Sequence, residues 1–554
     1  MKKSTFVEGT IIATLAIVFT KVLGMLYVIP FYAIIGASGS ALYSYAYNIY
    51  VIFLNISSAG IPVAMSKLVS EYDTKGMKEA KVRSLKLGIL IISIISILCF
   101  LLMMFFAEEI AQIIIGDLSG GNTIKDIALV LRAVSFAVLI IPFLSVARGY
   151  LQGHKFIAIS SFSQMLEQVM RIIVILAGSF ITIKLLKKSV SLGVAVAISG
   201  AFIGGLIAIF YIFKKIFDNK KELDLGITLK KDSISNKAIL KKILTYAVPF
   251  IIINVTVNFF NIIDMTFIVR TLGKLGFTGR EAEFVSSAMT TWGYKLNMIV
   301  NAIATGLTVS LIPNIVSAYT LKKNAEVNKI LNKAFQIVLF ISMPAAIGLS
   351  FLAEPVWTLF YGPSTLGPVI FKLSILTSIL CNVYLIAIQS AQSINEYKTV
   401  YKAVIFGFSM NAIFDVPFMY LCHKVGLPAF YGATFATILG YIVAIAIVIR
   451  KLKKMKEIRF KQTLRRSIKL ILCVIIMVLS LSLLKMIFPY NGSASRVWAT
   501  IYIGIYALVG GLIYFFLTYR LNLIKTIFGP KMINKLLNKI TFGKVKIKGD
   551  TSES

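Results

Sequence analysis

The side chains best placed to do chemistry in this chain are ionisable groups set inside apolar sequence. Lys21 lies about sixteen residues into an apolar run over 6–34, and Lys295 about ten residues into another over 285–318, so both fall near the middle of stretches long enough to cross a bilayer. A charge at that depth is costly and is a functional candidate by default. Lysine binds phosphate as a point charge, so one lysine from each half of the chain suits an anionic head group such as a pyrophosphate. The competing reading is that each ammonium snorkels or pairs locally. Glu167 and Arg171 stand one helical turn apart and can pair directly. Either they form a self-neutralised structural pair, or Arg171 adds to a cationic cavity while Glu167 orients it or takes a proton. Arg148, near the inner end of its run, could meet phosphate at an inward-facing mouth. Arg132 and Arg270 lie near the outer ends of theirs, where snorkelling suffices.

A second set is rich in oxygen. Asp264, Asp415 and Thr434 all fall about 8–9 Å below the outer surface at the rise of a helix, with Asn411 one turn deeper than Asp415. Two carboxylates, an amide oxygen and a hydroxyl suit a small hard cation, whose charge would offset the cost of burying aspartates. Alternatively, the aspartates bond neighbouring hydroxyls or carry protons. The four cysteines share no metal-ligand spacing and read as buried thiols, and two histidines are too few for a histidine-rich metal site.

These groups need a scaffold, and composition defines it. Of 554 residues, 58% are hydrophobic and only 15% charged, and mean hydropathy is +0.85. Such values exclude a soluble enzyme, a nucleic-acid-binding protein and a disulfide-stapled secreted domain. They predict an all-α polytopic membrane protein. Fourteen apolar runs are long enough to span, and the first, continuing to about Ile35, is too long for a cleaved signal peptide. Pro62, Pro313 and Pro344 fall within runs and predict kinks. The net charge of +35 is mainly topogenic: with the N-terminus in the cytoplasm, about three-quarters of the 58 basic residues fall on that side. Both termini are then cytoplasmic.

The richest basic segments divide the chain. Residues 1–214 hold spans one to six, 215–242 form a basic cytoplasmic linker, and 243–450 hold spans seven to twelve. A second basic linker covers 451–467, spans thirteen and fourteen cover 468–518, and 519–554 form a basic cytoplasmic tail. Within that tail, Leu521–Phe542 reads as an interfacial helix or a disordered basic segment. The two six-helix blocks carry echoes of one another. Ile61-Pro62-x3-Ser66 recurs as Ile312-Pro313-x3-Ser317, and a turn beginning at Gln152 has a counterpart beginning at Gln392. An even number of helices returns the chain to the same side, so a parallel repeat is expected, with two six-helix lobes, two extra helices and an alternating-access cavity.

Particular motifs carry a resemblance. Thr20-Lys21-Val22-Leu23-Gly24 is followed by Ile29-Pro30-Phe31-Tyr32, then Gly60-Ile61-Pro62 and Ser66-Lys67-Leu68-Val69-Ser70-Glu71-Tyr72. Later come Arg148-Gly149-Tyr150-Leu151-Gln152-Gly153-His154 and Glu167-Gln168. The chain resembles the polysaccharide-exporter branch of the MOP flippase superfamily, most of all the MurJ-type lipid II flippases of Gram-positive bacteria and the related stage V sporulation protein B. The resemblance implies a cell-membrane flippase for an undecaprenyl-pyrophosphate-linked sugar precursor. Its partners would be that substrate and membrane lipids, not nucleic acid. It implies that Lys21 and Lys295 line the cavity, and that Asp264 with Asn411-x3-Asp415 matches a sodium site. Thr434 differs in spacing from that site's threonine. No other cofactor is required. The Gram-negative branch carries further arginines where this chain has Tyr27 and the uncharged stretch Val51–Gly60, which alters the number of phosphate contacts. Rival expectations are a flippase for another polymer precursor, such as O-antigen or teichoic-acid units, and a multidrug/cation antiporter of the same superfamily. The outer loops are too short for the catalytic domain of a membrane polymerase, so an enzyme is not expected.

Overall fold

A computed structural model of the protein describes residues 6–58, 60–116, 120–225, 232, 234–454, 458–491 and 495–529. Among these residues every regular element is helical. They form two compact units, one of residues 1–292 with 415–433, the other of 293–414 with 434–554.

The first unit opens with α1 (Phe6–Leu26) and α2 (Val28–Ser58), followed by α3 (Ile61–Thr74), α4 (Lys78–Phe105) and α5 (Ala107–Ile115). Next come α6 (Ile124–Gly153) and α7 (Ile157–Ile173), which runs on through π-helical turns at Val174–Gly178 and Ile181–Leu185. It continues with α8 (Val190–Ile198), α9 (Gly200–Asp218), α10 (Asn236–Lys274) and α11 (Gly279–Ser287), ending in a π turn over Ala288–Trp292. Two glycines shape its start. Gly36, at φ +66°, interrupts α2, and Gly60, at φ +77°, separates α2 from α3; L side chains resist that conformation. Pro62 therefore does not kink a continuous helix, as its place in an apolar run predicts. It occupies the first turn of a new one, where its missing N–H has no partner to lose.

Helix α6 is the hub of this unit, packing on α2, α3, α4 and α9. Its contact with α3 is unusually close because Gly149 and Gly153 face it: a Cβ on Gly149 would come within 2.7 Å of the Pro62 carbonyl oxygen. The buried face of α3 presents Ile61, Ala64, Met65, Leu68, Val69 and Tyr72 to that contact, the apolar spacing of an amphipathic helix. The segment after α9, expected as a plain basic linker, is tied down. Lys81, 2% exposed, reaches Asp73 at 2.6 Å and Asp224 at 2.5 Å, and Tyr150 donates its hydroxyl to the Leu223 carbonyl at 2.8 Å.

The second unit contains α12 (Gly293–Thr320), α13 (Asn324–Phe351), α14 (Ala353–Tyr361), α15 (Leu366–Ser374) and α16 (Thr377–Ser393). The long α17 (Tyr397–Lys424), as far as Phe414, and α18 (Tyr431–Lys453), from Thr434, follow, then α19 (Lys461–Ile487), α20 (Arg496–Arg520) and α21 (Leu523–Phe528). Helices α12, α13 and α16 pack on one another, and α13 also carries α19. That last contact is polar: Thr463 Oγ1 donates to Asn332 Oδ1 at 2.6 Å, and Arg466 to Gln336 Oε1 at 2.5 Å. Pro344 lies inside α13 as expected.

Eleven segments among the described residues are long and apolar enough to cross a membrane. The three further runs expected from sequence fall on α1, α10 and the α11–α12 stretch, all helical. The chain is a multi-pass membrane protein. Of the proposed C-terminal interfacial helix, residues beyond 529 lie outside the described residues.

Candidate functional site

Three of the residues singled out from sequence meet in the first unit. Arg148 on α6 places Nη1 2.9 Å from Glu167 Oε2 on α7, and Arg171, one turn further along α7, closes on Glu167 Oε1. The sequence paired Glu167 with Arg171; the structure adds Arg148 to the same carboxylate. Arg148 Nε also donates to Ser163 Oγ at 2.8 Å. Two guanidiniums share one carboxylate, so the cluster keeps a surplus positive charge. Arg148 and Glu167 are less than one-tenth exposed, and Arg148 Nη2 and Arg171 Nε have no hydrogen-bond partner among the described residues. Buried donors left without a partner are what an anionic ligand would satisfy.

The backbone beneath the cluster is set by glycine. On α9, a Cβ at Gly204 would come within 2.6 Å of the Glu167 carbonyl oxygen, and one at Gly200 within 2.8 Å of the Arg171 carbonyl oxygen. This Gly-x3-Gly spacing lets α9 press directly on α7. Tyrosines of α2 lie nearby. Tyr43, Tyr47 and Tyr50 lie near enough to Arg171 to act on its charge, and Tyr43 stacks on Tyr47 with ring centroids 5.7 Å apart. Sequence reading missed Ser163, this glycine pair and the tyrosines. The signal was present in Gly200-x3-Gly204 and in the tyrosine run Tyr43, Tyr45, Tyr47, Tyr50.

Lys21 is half-buried on α1, which packs on α7. One turn on, Gly24 faces α7: a Cβ there would sit in ordinary contact with Gln168 Nε2, at 3.5 Å. Among the described residues Lys21 makes no ion pair. Lys295 is buried near the start of α12, in the second unit.

The oxygen-rich set is divided. Asp264 on α10 and Asp415 on α17 belong to the first unit, and their charges lie close enough to interact. Asp415 is fully buried, and neither carboxylate oxygen has a hydrogen-bond partner among the described residues. A buried carboxylate in that state calls for a proton or a cation, so the donor chemistry fits a small hard ion. Asn411, one turn earlier on α17, is fully buried and donates Nδ2 to Thr437 Oγ1 at 3.2 Å. Its observed hydroxyl partner is thus Thr437, one turn from Thr434, which is itself buried.

Further polar groups of the first unit had no sequence signal. Ser44 and Thr291 hydroxyls lie 2.6 Å apart, and Asn48 Nδ2 donates to Thr291 Oγ1 at 3.0 Å. Glu283, 3% exposed on α11, accepts from the Asn122 backbone N–H at 2.9 Å and from Asn122 Nδ2 at 2.7 Å. Burial outweighs these bonds and pushes the Glu283 carboxyl up to about 7.

Residues 6–319 match the family described as polysaccharide biosynthesis protein. The chain belongs to that family. Among its relatives is the lipid II flippase MurJ of Bacillus subtilis (strain 168), 28% identical over 540 residues, which cover 96% of this chain and 98% of the relative. Among solved structures, lipid II flippase MurJ in an inward closed conformation matches with a TM-score of 0.67 at 18% identity, over 92% of this chain and 99% of that one. An inward-facing multidrug resistance MATE family transporter of the MOP superfamily matches with a TM-score of 0.61 at 18% identity, over 80% and 99%. This member of the polysaccharide biosynthesis family therefore has the fold shared by MurJ and MATE transporters.

Proposed function

We propose that this protein is a lipid-linked oligosaccharide flippase that moves lipid II, the undecaprenyl-pyrophosphate-linked peptidoglycan precursor, from the inner to the outer leaflet by alternating access. The observation that carries the reading is the end-to-end similarity to the Bacillus subtilis lipid II flippase, which covers nearly the whole of both chains. The chemistry of the first unit agrees with it. Arg148 and Arg171 share one carboxylate and Lys21 has no acidic partner among the described residues, so the embedded charge is positive and suits a pyrophosphate. Arg171, Arg148 and Lys21 of the first unit hold the head group, and Glu167 orients both arginines. The same surplus repels cationic drugs, which disfavours an antiporter of the MATE type despite the common fold.

The charge bias puts both termini in the cytoplasm of a cell membrane, in keeping with a Gram-positive source. Asp264 and Asp415 of the first unit hold a coupling cation, sodium by the hardness of its ligands. Sodium entry or the membrane potential drives the cycle, one charge being worth about 2.3 kcal/mol per 100 mV. No bond in the substrate is made or broken, so the protein is a transporter and not an enzyme.

The test is transbilayer movement of lipid II in proteoliposomes with the purified protein. Protein-dependent exposure of the head group on the far leaflet is expected. Movement no faster than in empty vesicles would remove the assignment.

A further inference from the structure

Helix α3 has a second face that the head-group cluster does not use. Val63, Ser66, Lys67, Ser70, Glu71 and Thr74 recur at helical spacing opposite the buried face and, with Gln152 of α6, line a groove of about 540 Å³ within the first unit. Its polar groups are available. Many serines in the helices bond the carbonyl one turn back, as Ser84 and Ser93 do. Ser66 and Ser70 do not, and their hydroxyls have no partner among the described residues. Gln152 donates Nε2 to Ser160 Oγ at 2.8 Å, which fixes the amide and leaves its carbonyl oxygen to accept.

The flank of the groove is positive. Lys67 Nζ lies 4.0 Å from the Tyr246 ring centroid, so its ammonium is held over an aromatic face. Lys75 and Lys242 each sit 2.7 Å from Glu71 Oε1, two cations on one carboxylate oxygen. Unpartnered hydroxyls, one fixed amide oxygen and excess ammonium form the donor and acceptor pattern that reads a phosphorylated sugar.

Along α6 the groove begins one helical turn from the arginine cluster. Gln152 stands one turn beyond Arg148 on α6, and both donate to serines of α7, at Ser160 and Ser163. A ligand whose pyrophosphate meets Arg148 would lay its next groups along this ladder, about 5–6 Å away. We propose that the α3 groove is a sugar-reading subsite, in which Ser66, Ser70 and Gln152 bond the sugar hydroxyls of the head group while Lys67 faces its phosphate. This rests on the flippase reading and adds to it a place where the carbohydrate, rather than the lipid phosphate, is recognised.

The experiment compares binding of two probes, undecaprenyl pyrophosphate and the same lipid bearing its disaccharide, to the full-length protein in nanodiscs. Wild type is expected to bind the sugar-bearing lipid more tightly. The Ser66→Ala/Ser70→Ala variant should lose about five- to tenfold of that preference while binding the bare pyrophosphate lipid as before. The single serine variants should each lose part of it, and unchanged melting temperatures establish that the fold is intact. Full preference retained by the double variant would overturn the subsite. Equal binding of both lipids by wild type would also overturn it while leaving the flippase reading in place. Binding of neither lipid by wild type would instead remove the flippase reading on which the subsite depends.

Discussion

Arg148 and Glu167 meet at 2.9 Å across the α6–α7 contact, both less than one-tenth exposed, and the carboxylate that accepts from Arg148 also receives Arg171. The acid is the only counter-charge the two arginines have among the described residues. Glu167→Gln should therefore destabilise the protein by about 3–5 kcal/mol, the usual cost of leaving a buried charge unpaired. Arg171→Ala leaves a balanced Arg148–Glu167 pair, so it should cost less stability and more head-group affinity. Thermal unfolding in detergent, together with binding of undecaprenyl pyrophosphate, separates the two. Equal melting temperatures for both variants would contradict this assignment.

Helix α9 sets the position of that acid through its glycines. Gly204→Ala puts a Cβ about where the Glu167 carbonyl oxygen already sits, within 2.6 Å, and backbone cannot yield as a side chain does. A loss of about 1–3 kcal/mol is expected. At Gly205, the next residue, a Cβ would meet only the Ile141 and Ile140 side chains, at 3.3 and 3.5 Å. Gly205→Ala should be tolerated better, and the pair of melting temperatures measures the difference.

The charged cluster was half legible in the sequence. Glu167 and Arg171 are neighbours on one helix, and local spacing reveals such pairs. Arg148 is nineteen residues before Glu167, and only the packing of α6 on α7 joins them. The apolar runs gave the helices because hydropathy is a local property. The break at Gly60 was hidden for the same reason: the run over 43–69 stays apolar through the break, whereas backbone conformation changes at one residue. Lys81 illustrates a further limit. One of its two acidic partners, Asp73, is only eight residues away, but the other, Asp224, comes from a distant part of the chain, so a segment that looks like a basic linker by composition is pinned by a buried cation.

Glu283 should report pH. Its carboxyl is pushed up to about 7 by burial, against an ordinary value of 4.5. The folded protein then binds this proton more tightly than the unfolded chain, so ionisation costs stability as pH rises through the window from 4.5 to 7. Relative to Glu283→Gln, wild type should lose stability across that window and level off above it. Melting temperatures of both proteins between pH 4.5 and 8 check this, and a constant difference would refute it.

Among the described residues the two buried oxygens of Asp415 have no hydrogen-bond partner, so a bound cation should stabilise the fold. Sodium in place of an equal concentration of a large organic cation should raise the melting temperature of wild type. The rise should vanish in Asp415→Asn and in Asp264→Ala. A sodium response unchanged in both variants would rule out the carboxylate site.

The most direct measurement of the central claim is growth rescue in a strain depleted of its lipid II flippase, with wild type and Lys21→Ala expressed to equal levels. Wild type is expected to restore growth and Lys21→Ala to fail, because the embedded cations carry the pyrophosphate. A wild type that does not rescue would contradict the lipid II assignment, and a Lys21→Ala variant that rescues fully would contradict the cationic mechanism.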